Sequence, residues 1–167
     1  HTIQAWEVIR ELFYDFFGKA NPNEGHKILA LWEKEGLLKS VITQNIDNLH
    51  QEAGSKTVYE FHGTASTLAC VKCGAKINAS NVDMLEIPPK CNKCSGVLKP
   101  DFVFFGEGIP RLANDNSFAD AKKSDVFIVI GTTGEVMPAS MLPYAAKENG
   151  ATIIEINTEP SNFTYQI

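Results

Sequence analysis

The stretch Val126-Phe127-Ile128-Val129-Ile130-Gly131-Thr132-Thr133 is a short apolar run that ends in a glycine and two hydroxyl side chains. Five consecutive apolar residues, most of them β-branched, predict a strand that is buried on both faces. The runs at 41–43 and 152–156 have the same character, and helical patterns occupy 111–123 and 138–149. Buried strands that alternate with helices predict an α/β fold, in which helices cover both faces of a parallel sheet.

The first half of the chain carries three further helical patterns. Apolar residues at positions 3, 6, 9, 13 and 16 predict an amphipathic helix over 3–17 that ends at Gly18. A second helix is predicted to start at Asn21-Pro22-Asn23 and to end near Gly36, and a third to cover 47–53. The apolar run at 102–105 predicts another strand. Trp6 and Trp32 are expected in the core.

Composition restricts the class of protein. The 167 residues are 44% hydrophobic and 21% charged, which is a globular balance. The net charge of −5 argues against a general nucleic-acid binder, and we expect no direct nucleic-acid partner. The sequence contains no apolar run that could span a bilayer and no signal-peptide pattern, so no membrane association is expected. We expect a cytoplasmic protein, or a nuclear one in a eukaryote, with reduced thiols.

All four cysteines fall into two Cys-x2-Cys pairs, Cys70 with Cys73 and Cys91 with Cys94. Two such pairs at this separation can close a tetrahedral thiolate site on one zinc ion. Two disulfides or scattered core cysteines are the alternatives, and a reducing compartment disfavours the disulfides. Four protein ligands leave no open position, so the metal is predicted to be structural. Residues 64–100 therefore predict a small, loop-rich zinc module, inserted into a core formed by 1–63 and 101–167.

Polar residues follow several predicted strands, where open α/β sheets bind ligands. Thr43-Gln44-Asn45-Ile46-Asp47 follows the run at 41–43, and Glu60-Phe61-His62-Gly63 places a histidine at another strand end. Gly131-Thr132-Thr133 and Asn157 follow the two later strands. Each motif alone is weak evidence, because a single histidine is more often structural. The sequence has neither a Gly-x-Gly-x-x-Gly nor a Walker motif, so spacing alone does not predict a nucleotide.

Taken in order, these motifs resemble the sirtuin family of NAD-dependent protein-lysine deacylases. The resemblance runs from Trp6 to Asn157. It rests on Pro22-Asn23-x-x-His26, Thr-Gln-Asn-Ile-Asp with the following Leu-His, Phe-His-Gly, the four cysteines, Phe-Gly-Glu, and Gly-Thr-Thr with Pro138-Ala139. The resemblance implies a Rossmann-like core that binds NAD, with a structural zinc ion in the small module.

The family implies roles for the matching positions. His62 matches the general base, and Asn45 and Asp47 join it as catalytic residues. The nicotinamide and its ribose are expected against Gln44, Asn45, Ile46 and Asp47, and the ADP-ribose part against Gly131, Thr132, Thr133 and Asn157. The acyl-lysine substrate is expected against Val103, Phe104, Phe105 and Gly106, with Val136 on the other side of the peptide. His26 and His50 are expected to be structural.

The implied activity removes acyl groups, with acetyl expected, from protein lysines and yields nicotinamide, acyl-ADP-ribose and free lysine. A histidine suits the base because it can accept a proton near neutral pH. An aromatic tunnel suits a neutral acylated lysine. Two alternatives stay open: ADP-ribosyl transfer to protein, and a zinc-ribbon platform without catalysis. The intact trio of His62, Asn45 and Asp47 argues against the platform.

The chain departs from the family pattern in two respects. The family's Gly-Ala-Gly-x-Ser segment and Pro-x-Phe-Arg loop, which hold the cofactor's phosphates and cover its nicotinamide, have no counterpart here. We therefore expect these 167 residues alone to be inactive. Gly134-Glu135 stands where the family generally has two small or apolar residues, which is expected to alter the peptide groove or a loop near the cofactor.

Overall fold

The computed structural model describes residues 2–15 and 19–167. The chain forms two compact units, one that runs to Ile109 and one that spans Pro110–Ile167. Phe16 and Gly18, which the sequence predicts near the end of the first helix, lie outside the described residues.

The first unit contains three α-helices. Helix α1 spans Thr2–Ile9 and continues into a π-helical turn at Arg10–Tyr14. Helix α2 spans Glu24–Lys34, and α3 spans Leu49–Ala53. The Asn23 side chain caps α2 by accepting a hydrogen bond from the His26 amide, and His26 Nδ1 accepts one from the Asn23 amide. The prediction that Trp32 lies in the core is wrong. Trp32 is 37% exposed, and none of the α2 side chains is buried.

A parallel pair of strands follows helix α2 in sequence. Strand β1 spans Val41–Thr43, as predicted, and pairs in parallel with β2, which spans Val58–Glu60. Thr43 lies opposite Glu60, and the Phe61 amide donates to the Thr43 carbonyl over 2.8 Å. The two strands therefore end at the same edge, and the residues that follow them lie close together.

An antiparallel sheet forms the cysteine-rich part of this unit. Strands β3 (Gly63–Cys70), β4 (Lys76–Asn78) and β5 (Leu98–Phe102) are ordered β4-β3-β5. The eight-residue β3 was not foreseen in a loop-rich module. The prediction of a strand over 102–105 is also wrong, because β5 ends at Phe102 and a turn follows. Pro100 lies in β5, which is an edge strand, where its missing N–H leaves no neighbouring strand unpaired.

Trp6 anchors α1 to the cysteine-rich sheet. It is buried in one cluster with Leu68, Leu98, Cys70 and Cys91, and the cluster also includes Ala79. The Trp6 indole N–H donates to the Leu98 carbonyl over 3.1 Å, so the polar atom of the ring is satisfied inside the core. Burial of a large side chain of this kind stabilises the fold by on the order of 2–3 kcal/mol.

The second unit contains the two predicted strands with the predicted bounds, but they are not buried on both faces as expected: Val129 is buried, whereas Val126 and Ile130 are about half exposed. Strands β6 (Val126–Ile130) and β7 (Thr152–Ile156) pair in parallel, with Val126 opposite Thr152. Helix α4 spans Arg111–Ala121, and α5 spans Leu142–Glu148, preceded by a 3₁₀ turn at Ala139–Met141. Helix α5 packs against both strands and against α4. Within the described residues, we find no helix that combines the length and apolar character needed to cross a bilayer.

Candidate functional site

The ends of β1 and β2 bring the predicted nicotinamide segment next to the predicted base. Residues 44–47 leave β1, and the Ile46 carbonyl accepts a hydrogen bond from the Ala65 amide over 3.0 Å. The carboxylate of Asp47 accepts from the Leu49 amide over 3.0 Å and so fixes the start of α3. Asn45 is exposed, whereas Gln44, Ile46 and Asp47 are half-buried. These contacts fix Ile46 and Asp47, and the segment still offers the exposed polar side chain of Asn45 to a ligand.

His62 is oriented by this same segment. Its Nδ1 lies 3.1 Å from the Gln44 carbonyl oxygen. A carbonyl can only accept a hydrogen bond, which assigns the proton of the neutral ring to Nδ1. Nε2 then carries the lone pair and can accept a proton from a substrate. The His62 carbonyl accepts from the Val103 amide over 2.8 Å, so the histidine also contacts the predicted substrate segment.

Gly63 allows the chain to pass between these elements. Its φ is +73°, and a Cβ there would lie 2.3 Å from the Asp101 carbonyl oxygen. Gly63 pairs with Phe102 across the β3–β5 ladder. A side chain at this position would push β5 away from β3 and would disturb His62, the preceding residue.

We expect Gly63→Ala to destabilise the protein by about 3 kcal/mol or more, because left-handed strain of about 1–2 kcal/mol adds to a backbone clash. Gly36→Ala is the matched control, since Gly36 also has a positive φ, +76°, but a Cβ there would meet no atom within 4 Å. Thermal unfolding of both variants separates the clash from the strain. Equal losses of stability would contradict a clash at Gly63.

Carboxyl groups surround this edge of the sheet. Burial raises the pKa of Glu60, opposed by hydrogen bonds from Gln51 and Thr64, and the carboxylates of Asp101 and Asp47 raise it further. Asp101 is paired with Lys76 at 2.7 Å. Glu60 therefore takes up a proton more readily than an ordinary glutamate, and it lies two residues before His62.

His26 and His50 contact each other through their rings. Their ring centroids are 4.7 Å apart, which joins the start of α2 to α3. Burial lowers the pKa of His50, and His26 lowers it further, whereas Asp47 acts in the opposite direction. The lowered pKa favours the neutral ring of His50 near pH 7.

The predicted substrate segment forms a tight turn after β5. The Glu107 amide donates to the Phe104 carbonyl over 2.9 Å, and Gly106 adopts a φ of +87°. Phe104 packs on Phe102 with ring centroids 4.9 Å apart. Phe105 is fully exposed. The turn therefore anchors one aromatic ring and presents the next one to solvent.

The four cysteines form one cluster, as predicted. Their sulfur atoms all lie within 4.8 Å of one another. The Sγ atoms of Cys70 and Cys94 are 3.5 Å apart, and those of Cys73 and Cys91 are 3.8 Å apart. A disulfide needs about 2.05 Å, whereas a tetrahedron with zinc–sulfur bonds of about 2.3 Å has edges of about 3.8 Å. The geometry therefore fits zinc and does not fit a disulfide.

The backbone around the sulfurs supports the same interpretation. The amides of Lys72 and Lys93 each point at the first cysteine of their own pair, Cys70 and Cys91, over 3.4 Å. A Cβ at Gly96 would lie 2.9 Å from Cys70 Sγ, so no larger residue fits there. Amide donors stabilise thiolates, which are the form that binds metal.

The remaining predicted site residues lie in the second unit. Gly131 directly follows β6, has a φ of +62° and is exposed. The Asn157 side chain holds the turn that follows. Its Oδ1 accepts from the Thr132 amide and its Nδ2 donates to the Thr132 carbonyl, both over 3.0 Å. Thr133 is exposed beside this turn, and Val136 is exposed after it.

The final residues of the chain pack on this turn. The Asn162 amide donates to the Thr133 carbonyl over 2.9 Å, and a Cβ on Gly134 would lie only 2.6 Å from the Phe163 ring. Gly134 is therefore required by packing. The carboxylate of Glu135, the second unusual residue here, accepts from the Thr133 hydroxyl over 3.3 Å.

Sequence reasoning missed several residues that hold the site together. Glu155 accepts hydrogen bonds from Ser161, Thr164 and Asn157, which lowers its pKa. A charged residue inside the apolar strand Thr152–Ile156 is unusual, and this position could have marked Glu155 as a residue with hydrogen-bond partners. Lys99 and Glu107 form an ion pair at 2.7 Å beside the substrate turn. Glu107 ends the Phe-Gly-Glu motif, but Lys99 is eight residues away in sequence, and no local pattern indicates that the two side chains pair.

The sequence model of the Sir2 family matches residues 2–138. The chain is 44% identical to an NAD-dependent protein deacylase of Aeropyrum pernix over 96% of its own length and 62% of that protein. It is 49% identical to one of Aquifex aeolicus, over 96% of this chain and 66% of that protein. The chain thus spans slightly less than two thirds of these relatives.

Solved structures are similar over nearly the whole chain. A Sir2–p53 peptide–NAD+ complex gives a TM-score of 0.88 at 35% identity, covering 95% of this chain and 67% of that one. A Sir2 protein bound to a propionylated peptide gives 0.87 at 34% identity, covering 95% and 68%. These likenesses bear out the Rossmann-like α/β fold. With the family model matching more than three quarters of its residues, the chain belongs to the Sir2 family.

Proposed function

We propose that the protein to which this chain belongs is an NAD-dependent protein-lysine deacylase. One observation carries the proposal: His62 is hydrogen-bonded to the Gln44 carbonyl on one side and to the Val103 amide on the other. A base is thereby fixed between the proposed nicotinamide segment and the proposed substrate segment. The names of the relatives support the same activity.

The residues of the first unit fit the chemistry of this reaction. Bound NAD supplies a ribose carbon that becomes electrophilic as its bond to nicotinamide breaks. Asn45 and Asp47 offer amide and carboxylate groups that can bind the polar carboxamide and ribose. His62 Nε2 accepts the proton of a ribose hydroxyl, and its Nδ1–H stays on the Gln44 carbonyl throughout. The fixed Nδ1 bond orients the base before substrate arrives.

The residues of the second unit fit the ADP-ribose part of the cofactor. We assign Gly131, Thr132, Thr133 and Asn157 to it. Gly131 has no atom within 4 Å of its Cβ position, so a ligand can approach its backbone closely. The side-chain amide of Asn157 is hydrogen-bonded to both the backbone N–H and the carbonyl of Thr132. Asn157 therefore acts by shaping the turn, and the exposed Thr133 hydroxyl is the better candidate for direct contact.

The proposed substrate is a protein lysine that carries an acyl group, with acetyl expected. Solved Sir2 structures hold acetylated and propionylated peptides. In this chain Val103, Phe104, Phe105 and Gly106 are assigned to the acyl-lysine, and Val136 to the peptide. An aromatic surface favours a neutral acylated side chain and disfavours an ammonium group, which would lose its hydration.

Release of nicotinamide, measured with and without an acetyl-lysine peptide, tests the proposal in the full-length protein. A deacylase releases nicotinamide in proportion to the peptide that is deacylated, and mass spectrometry detects acyl-ADP-ribose. An ADP-ribosyltransferase instead adds ADP-ribose to a protein acceptor. A binding platform releases none. Either of the last two results would overturn the proposed function.

Phe105→Ala is expected to weaken acetyl-lysine peptide binding about tenfold, because an exposed aromatic wall worth about 1.4 kcal/mol is lost. Its melting temperature should not change, since Phe105 is fully exposed. Leu85→Ala is the matched control, because Leu85 is also strongly exposed in this unit. Fluorescence anisotropy with a labelled acetyl-lysine peptide measures the effect. Unchanged affinity would remove Phe105 from the substrate site.

A further inference from the structure

The turn that follows β5 is held by an ion pair that the proposed chemistry does not use. Both carboxylate oxygens of Glu107 lie 2.7 Å from Lys99 Nζ. One of them, Oε2, also accepts a hydrogen bond from the Phe104 amide over 3.0 Å. The Lys99 ammonium lies 5.0 Å from the centroid of the Phe104 ring, within cation–π distance. Lys99, Phe104 and Glu107 therefore form one closed group, named here the turn lock.

The turn lock connects the substrate turn to the metal-binding part of the unit. Lys99 lies on β5 and pairs with Ala69 of β3, and the next pair joins Leu98 to the cysteine Cys70. The backbone of Lys99 is thus held in the sheet that contains Cys70. Glu107, which supplies the carboxylate, lies in the turn itself.

The opposite charges of Lys99 and Glu107 stabilise the turn lock. Lys99 lowers the pKa of Glu107, and the Phe104 amide lowers it further, so the carboxylate stays ionised. Both side chains are partly exposed, 37% for Lys99 and 42% for Glu107. An exposed pair of this kind contributes little to global stability. Its effect is therefore expected in the local geometry of the turn.

We propose that Lys99 and Glu107 are positioning residues that hold the turn at 103–107 in the conformation that receives the acyl-lysine peptide. The inference rests on the proposed function. Neither residue is assigned to a reacting atom. Glu107 fixes the Phe104 backbone from one side, and the Lys99 ammonium fixes the ring of Phe104 and the carboxylate together. Phe105 and Gly106, which the substrate is proposed to contact, lie between the fixed points.

Three variants of the full-length protein separate the parts of the lock. Lys99→Met keeps the apolar stem but removes the ammonium. Lys99→Arg keeps a charge that can reach Glu107. Glu107→Gln keeps an oxygen that can accept from the Phe104 amide but removes the charge. Lys27→Met is the matched control, because Lys27 pairs with Glu24 at 2.8 Å on α2, outside the proposed site.

We expect Lys99→Met to raise the KM for an acetyl-lysine peptide about tenfold and to leave kcat and the KM for NAD within about twofold, because misplacement of a binding element reduces binding more than chemistry. Lys99→Arg should restore most of the peptide affinity. The peptide KM of Glu107→Gln should lie between those of the wild type and Lys99→Met. The control should match the wild type. A Lys99→Met variant with an unchanged peptide KM, or with a changed kcat alone, would overturn the proposal.

Hydrogen-exchange mass spectrometry tests whether Lys99 and Glu107 order the turn, and it needs no catalytic turnover. Amides at 103–107 should exchange several-fold faster in Lys99→Met than in the wild type, because local opening of the turn becomes easier. The same amides should be unchanged in Lys27→Met. Unchanged exchange in Lys99→Met overturns the lock. If the wild type lacks acyl-peptide turnover, the proposed deacylase function fails, whereas the exchange result still decides whether Lys99 and Glu107 order the turn.

Discussion

Replacement of His62 by alanine is expected to reduce deacylation in the full-length protein by a factor on the order of 10²–10⁴, the range that a general base contributes. The variant loses Nε2, which the bond from Nδ1 to the Gln44 carbonyl leaves free to accept a proton. Binding of NAD should change much less, because Asn45 and Asp47 remain. Steady-state turnover of an acetyl-lysine peptide and calorimetry with NAD measure the two effects.

His26→Gln is the control for this experiment. His26 lies in the same unit and occupies the third position of α2, where glutamine also completes a capping box. Its turnover should stay close to that of the wild type. Near-normal turnover of His62→Ala would show that another group takes the proton. A parallel loss in NAD binding would show that His62 acts in binding and not as a base.

Replacement of Cys91 by serine should abolish metal binding and unfold the cysteine-rich sheet. Cys91 is buried in the core that holds Trp6, Leu68 and Leu98. Structural zinc binding in zinc-finger peptides supplies about 10–16 kcal/mol, which is comparable to the whole stability of a domain of about 5–15 kcal/mol. Elemental analysis should find one zinc ion per wild-type chain and none in the variant. Circular dichroism should show lost β-structure.

Val71→Ser supplies the comparison, because Val71 lies between two of the cysteines and is exposed. This substitution should leave one zinc ion bound and the fold intact. The zinc assignment fails if freshly purified, reduced wild-type protein contains no zinc, or if Cys70 and Cys73 form a disulfide.

Local signals predicted much of the fold. The apolar run Val126–Ile130 and the run Thr152–Ile156 gave strands with the observed ends, because short runs of β-branched residues have a strong local signature. The cysteine pairs predicted the metal cluster, since their spacing fixes which atoms can converge. The roles of His62 and residues 44–47 came from the family resemblance, and the structure places the His62 ring against the Gln44 carbonyl of that segment.

The predictions that failed depend on contacts between distant residues. Phe102 to Phe105 form an apolar run, yet β5 runs from Leu98 to Phe102, because its partner β3 sets the register. Leu68 is opposite Pro100 in that register, and no local pattern indicates this pairing. Tryptophan is usually a core residue, but the elements around α2 leave the Trp32 ring partly exposed. Such features follow from tertiary packing and are absent from local sequence.

The four sulfur ligands are unequally covered, since Cys70 and Cys91 are buried, Cys94 is half-buried and Cys73 is exposed. Among the four sulfurs, that of Cys73 is therefore the one that water, chelators and competing thiols reach most easily. Exchange of the metal would then proceed by attack of an incoming ligand, with three sulfurs still attached. The rate at which a bound metal exchanges would then depend on the exposed Cys73 more than on the buried Cys70 and Cys91.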